Sequence, residues 1–105
     1  MAVSSKPWGS VSQADYKDAA SYCRACLVNK NPAGAEPTKD QCYLPVYEPN
    51  GDLNRNACAS AVAYLPRTGI SPADKKAAAR KLASLYTDQL GVKKEDLPPT
   101  LKNML

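Results

Sequence analysis

The stretch Tyr43-Leu44-Pro45-Val46-Tyr47-Glu48-Pro49-Asn50-Gly51-Asp52-Leu53-Asn54-Arg55-Asn56 constrains this chain more than any other. It places an extended run, a turn and a helix start end to end. Cys42 to Val46 reads as short and extended, and Pro45, which has no backbone N–H for a ladder, restricts it to an edge strand or an irregular course. Asn50-Gly51 is turn chemistry. Asp52 or Asn54 then offers a side-chain oxygen to the free N–H groups of a helix spanning about 55–65. That helix carries Cys58, Ala61, Val62 and Leu65 on one face, and Pro66 stops it.

Helix signals stand on both sides. Ser12 is a candidate cap, Asp15 follows three residues later, and Val11 and Tyr16 occupy the hydrophobic-staple positions. Tyr16, Ala19, Ala20, Cys23, Cys26 and Leu27 recur at helical spacing, so the first helix is expected to run until about Asn29. Asn31-Pro32-Ala33-Gly34 then opens an exposed loop over 29–41. Further on, Ser71-Pro72-Ala73-Asp74 combines a cap, a proline at the first helical position and an acid in the first turn. This third helix, about 72–90, is expected to bury Ala78, Leu82, Leu85, Tyr86 and Gln89 or Leu90, with Gly91 closing it. The expected architecture is all-α: a three-helix domain over 11–91 with a short extended segment between the first two helices. Residues 1–10 form an arm around Trp8, and 92–105 a tail with at most one short turn after Pro98-Pro99.

Composition limits what such a domain does. With 105 residues, one Trp and no Phe, alanines and a few leucines supply the packing, and the margin of stability is thin. An oligomer or a host surface would add to it. The net charge of +4 is too mild for a dedicated nucleic-acid arm. Histidine is absent, and with it the commonest general base and metal ligand. Neither a nucleophile–base pair nor a phosphate-binding loop is present, so no enzyme is expected. No apolar run approaches the ~18 residues of a membrane span, and Met1–Lys6 lacks the apolar core of a signal peptide. The expected location is a cytoplasm, or an assembly that leaves one.

Four constellations stand out. Cys23, Cys26, Cys42 and Cys58 supply four soft ligands, enough for tetrahedral zinc, but only the first two are closely spaced. Cys23, Cys26 and Cys58 fall on apolar helix faces, where free cysteine behaves as a small hydrophobe. Buried reduced thiols are therefore expected, with no metal or other cofactor; zinc and a disulfide are the alternatives. Thioredoxin-like chemistry is disfavoured because Cys23-x-x-Cys26 lies near a helix C-terminus, which raises a thiol pKa. Lys75, Lys76, Arg80 and Lys81 sit early on the third helix, after a Gly-containing turn. They read first as a solvated face and alternatively, with Lys6, as a helix-turn-helix-like DNA contact, or as a contact to an acidic protein partner. Asn54-Arg55-Asn56 reads as a cap, with Arg55 pairing Glu48 or Asp52, or else as an anion site. Trp8 is either a core anchor or a partner contact.

The order of elements resembles a small helical module of tailed-phage and prophage head-morphogenesis proteins, seen at protein ends and as short free-standing chains. Cys26-Leu27, Tyr43 to Pro49, Gly51-x-Leu53-Asn54-Arg55-Asn56 and the Ala-rich run Lys75–Tyr86 ending in Leu90-Gly91 carry the resemblance, over about 12–91. It brings no catalytic residues. It implies a virion accessory that binds capsid or other virion structural proteins, such as a capsid decoration or cement protein. Such an accessory would be made in the host bacterial cytoplasm and repeat as a homo-oligomer on a lattice. Trp8, Tyr43, Tyr47 and Arg55 are its expected partner contacts.

Overall fold

Short polar side chains set where the helices begin. Ser71 accepts the Asp74 N–H at 3.2 Å and opens α3, Pro72–Asp88. Asn54 accepts the Ala57 N–H at 2.7 Å and opens α2, Arg55–Tyr64, which passes through a 3-10 turn at Leu65–Arg67 containing Pro66. At Ser12 the backbone N–H donates to the Asp15 carboxylate at 2.8 Å, yet the turn so formed is only the 3-10 turn Gln13–Asp15. Tyr16 returns to extended backbone, and Asp18, accepting the Ser21 N–H at 2.7 Å, is the residue that caps α1, Ala19–Ala25. A last short helix, α4, covers Pro99–Lys102. The computed structural model describes residues 3–105; Met1 and Ala2 of the expected arm lie outside the described residues.

The fold is mixed α/β, and the all-α expectation is corrected: about 51% of the chain is helical and 13% is strand, in two small sheets. The main departure from that expectation lies at Cys26. There α1 has already ended, and Cys26–Asn29 forms strand β2, paired antiparallel with β3, Cys42–Pro45, in the register Cys26 to Pro45 and Val28 to Tyr43. The apolar stripe of α1 runs on in sequence through Cys26 and Leu27, and a short apolar run reads equally as buried helix or buried strand. A partner strand sixteen or so residues away decides it. The second sheet pairs Val3–Ser4 (β1) in parallel with Leu53–Asn54 (β4), so part of the arm is a strand.

Two cores result. The main one gathers Leu44 of β3, Val46 just after it, Leu53, the α2 face Ala57, Cys58, Ala61 and Val62, then Leu65, and Ala78, Ala79 and Leu82 of α3. Leu90, Leu97 and Leu101 complete it, so the segment expected as a tail supplies fully buried leucines. On α3, Leu85 and Tyr86 are half-buried and Gln89 is exposed. A smaller satellite core holds Tyr16, Tyr22, Cys23, Ala25 and Cys42. Tyr16 and Tyr22 meet edge to face there, with ring centroids 5.1 Å apart.

Asn54 joins the arm, the turn and α2. Its side chain is 0% exposed. Besides capping α2, its amide donates to the Lys6 carbonyl at 3.0 Å and to the Glu48 carboxylate at 2.9 Å. The Ser4 hydroxyl and the Asn54 amide hold the Glu48 carboxyl below the usual carboxylate range. Replacing Asn54 with Ala is expected to cost about 2–3 kcal/mol, a lost cap plus buried partners left unpaired. Urea melts at unchanged m-value measure this. A loss under about 0.5 kcal/mol would show that the hub carries little.

Candidate functional site

The arm lies against α2 because two asparagines hold its backbone. Asn56 donates to the carbonyls of Ser5 and Lys6 at 3.0 and 3.1 Å, beside the Asn54 contact to Lys6. The chain then turns through the 3-10 turn Trp8–Ser10, which sets Trp8 half-buried against the main core. Trp8 is thus both core and surface. It lines a groove of about 390 Å³ that Tyr64 also lines. Ala57, Ser60 and Ala61 of α2 line it with Leu44 and Pro45.

Two features set this groove apart from ordinary surface. Tyr64 is 58% exposed, the largest exposure of any large apolar side chain among the described residues, and the Arg67 guanidinium stacks 5.3 Å from its ring centroid. Leu44 holds φ at +63°, a left-handed conformation that side chains with a Cβ adopt at a cost of roughly 1–2 kcal/mol. Such strain persists only where the surroundings over-determine it, and it gathers at binding and switch regions. The rest of the lining is small: Gly9, Pro45, Ala57, Ser60 and Ala61.

Of the other expected partner contacts, Tyr47 lines a separate cleft, while Tyr43 packs half-buried on the main core and lines neither concavity. Arg55 is exposed at the first position of α2. Its expected ion pair with Glu48 or Asp52 is absent, since Glu48 is engaged by Asn54 and the ion pair found among the described residues is Lys30–Asp74, at 2.7 Å. The groove residue missed by sequence reasoning is Tyr64. It falls off the buried stripe Cys58, Ala61, Val62 and Leu65, which by itself marks only a solvent-facing position.

The basic set divides. Lys75 donates to the Pro66 carbonyl at 2.8 Å and so braces the turn before α3. Lys6, Lys76 and Arg80 are exposed, the last two one helical turn apart.

The cysteines correct the expectation of four buried thiols. Cys23 and Cys42 form a disulfide, with Cα atoms 5.4 Å apart, joining α1 to β3 inside the satellite core. Cys26 is half-buried and Cys58 buried, and both are free. Burial pushes the Cys26 thiol up to about 12 and the Cys58 thiol up to about 11, so neither is a reactive thiolate near neutral pH. The four-cysteine zinc set is not assembled, and no cluster of three or more His, Cys, Asp or Glu side chains is placed to hold a metal among the described residues. No helix among them is long and apolar enough to cross a membrane. No protein-family model matches the chain, and neither the curated proteins nor the solved structures contain a match to it.

Proposed function

We propose that this protein is a non-enzymatic accessory of a phage or prophage virion, a capsid decoration or cement protein that docks on structural proteins through the Trp8–Tyr64 groove. The groove carries the reading. Trp and Tyr are the side chains most often found as interface hot spots, because each buries a large rigid area and keeps a polar tip. Here one is anchored by the core and the other stands in solvent, with small side chains between them. The resemblance of Tyr43–Asn56 and Lys75–Gly91 to phage head-morphogenesis modules supports the choice of partner. A disulfide in a small domain fits a product that ends outside a reducing cytoplasm, as a released virion does. Repetition on a lattice would add host surface to a core built largely from alanine and leucine.

Co-sedimentation of the purified protein with DNA-free mature capsids of its source phage tests the reading. Saturable binding at a fixed ratio per capsid subunit is expected, weakened roughly thirtyfold or more by Trp8→Ala, the loss of a hot spot worth about 2 kcal/mol. No binding by a demonstrably folded protein would sink it. The second reading, a DNA contact by Lys6, Lys76 and Arg80, rests on their exposure. It requires duplex affinity that falls steeply with salt. That result, with capsid binding absent, would replace the first reading.

A further inference from the structure

A second concavity, of about 510 Å³, opens on the side of α1 and is lined by Tyr16, Lys17, Ser21 and Arg24 facing Tyr47–Gly51. Its two walls are fixed to each other. The Tyr16 hydroxyl donates to the Tyr47 carbonyl, and the Ala25 carbonyl accepts the Val46 N–H at 2.9 Å. The far wall is a closed turn: the Glu48 N–H donates to the Asp52 carbonyl at 2.7 Å and the Gly51 N–H to the Glu48 carbonyl at 2.8 Å. Gly51 holds φ at +95°, which a residue with a Cβ rarely adopts. The cleft is therefore formed before any ligand arrives, and its size lies within the usual range for small-molecule sites.

Its lining carries two cations, Lys17 and Arg24, against one carboxylate, Glu48. Lys17 and Arg24 are both exposed, and neither makes an ion pair among the described residues. The Arg24 guanidinium reaches only the Ser21 hydroxyl, at 3.4 Å. The two carboxylates nearby stay charged, but each is held by hydrogen bonds to a neutral donor. Asp18 caps α1 through the Ser21 N–H, and that bond, with Lys17 and Arg24 beside it, holds its carboxyl below the usual range. Glu48 is held by the Asn54 amide and is buried. Two cations, a hydroxyl and the Asn50 side chain thus line a preformed cleft with one carboxylate, Glu48, and the remaining lining is Tyr, Pro, Ala and Gly.

We propose that this cleft binds an oxyanion, a carboxylate or phosphate, carried on a body of about ring size. Arg24 and Lys17 would take the oxyanion by charge-assisted hydrogen bonds, and Tyr47 and Pro49 would take the apolar face of the ring. The site is separate from the Trp8–Tyr64 groove and does not depend on the docking reading.

The test is an amide-resolved NMR titration of the full chain with glucuronate, inorganic phosphate and glucose. Saturable shifts at Lys17, Ser21, Arg24 and Tyr47–Gly51 with glucuronate or phosphate support the site. Tighter binding of glucuronate than of phosphate assigns an acidic sugar, and the reverse assigns the bare anion. Arg24→Gln and Lys17→Gln, both at exposed positions, should each weaken that binding by about tenfold to a hundredfold. Saturation by glucose equal to that by glucuronate overturns the proposal, as does an absence of saturable shifts in the cleft or binding unchanged by both variants.

Discussion

A chain ending at Gly91 is expected not to fold cooperatively. The segment after Gly91 reads as a tail, yet Leu97 and Leu101 are 3% and 0% exposed and sit in the main core with Leu53, Leu65 and Leu82. Deleting a buried leucine side chain costs about 2–5 kcal/mol, through lost transfer energy and the cavity left behind. Truncation removes two of them and uncovers the apolar surface of α2 beneath α4. A domain of this size holds only about 5–15 kcal/mol in total. Urea melts of the 1–91 chain against the full chain decide the matter. Leu101→Ala serves as the graded version, with an expected loss of about 3 kcal/mol. A truncated chain that melts cooperatively within about 1 kcal/mol of the full one would show that α4 is an ornament.

Reduction of the Cys23–Cys42 disulfide is expected to cost about 3 kcal/mol. The bond closes a loop of sequence separation 19, and that constraint on the unfolded chain accounts for a stabilisation of that size. In a domain of about this length the melting temperature should fall by roughly 12 °C or more. The damage should be local first. Asn31 spans the loop: its amide donates to the Thr38 carbonyl at 3.2 Å and lies 3.5 and 3.4 Å from the two disulfide sulfurs, while its carbonyl accepts the Thr38 N–H at 2.9 Å. Freed of the bond, residues 30–41 and α1 should exchange amide hydrogens faster than α2 and α3, which the main core holds. Thermal melts with and without reductant, paired with the Cys23→Ser/Cys42→Ser chain, measure the effect. Denatured without reductant, the protein should titrate the two thiols of Cys26 and Cys58. Four thiols, with melts indifferent to reductant, would refute the bond.

Only part of the candidate groove is legible in the sequence. Trp8 stands out in the sequence as a lone aromatic in a Pro/Gly arm, and the structure packs it half-buried against the main core, at a groove that leaves part of it exposed. Tyr64 was not singled out, because an off-stripe helical tyrosine looks like any solvated residue until a second aromatic is brought opposite it. The strain at Leu44 had no signal at all. Leucine before proline is expected to be extended, and the left-handed backbone there arises where the residue is packed among the groove walls and the main core.

What the sequence determined by itself is whatever a few neighbouring residues decide between them. The caps at Asn54 and Ser71, the turn at Asn50–Gly51, the stop at Pro66 and the glycine at Gly91, with φ of +70°, all depend on hydrogen bonds and backbone sterics within one helical turn. The buried face of α2 depends on a period of 3.6, equally local. Tertiary structure decided the rest. Cys26–Asn29 is strand because Cys42–Pro45 lies beside it, Cys23 is oxidised because Cys42 lies within reach, and Leu101 is core because α2 offers it an apolar face. Each of those outcomes is a contact between residues far apart in the chain. Its free energy is won only after the loop between them has closed, and no local pattern records it.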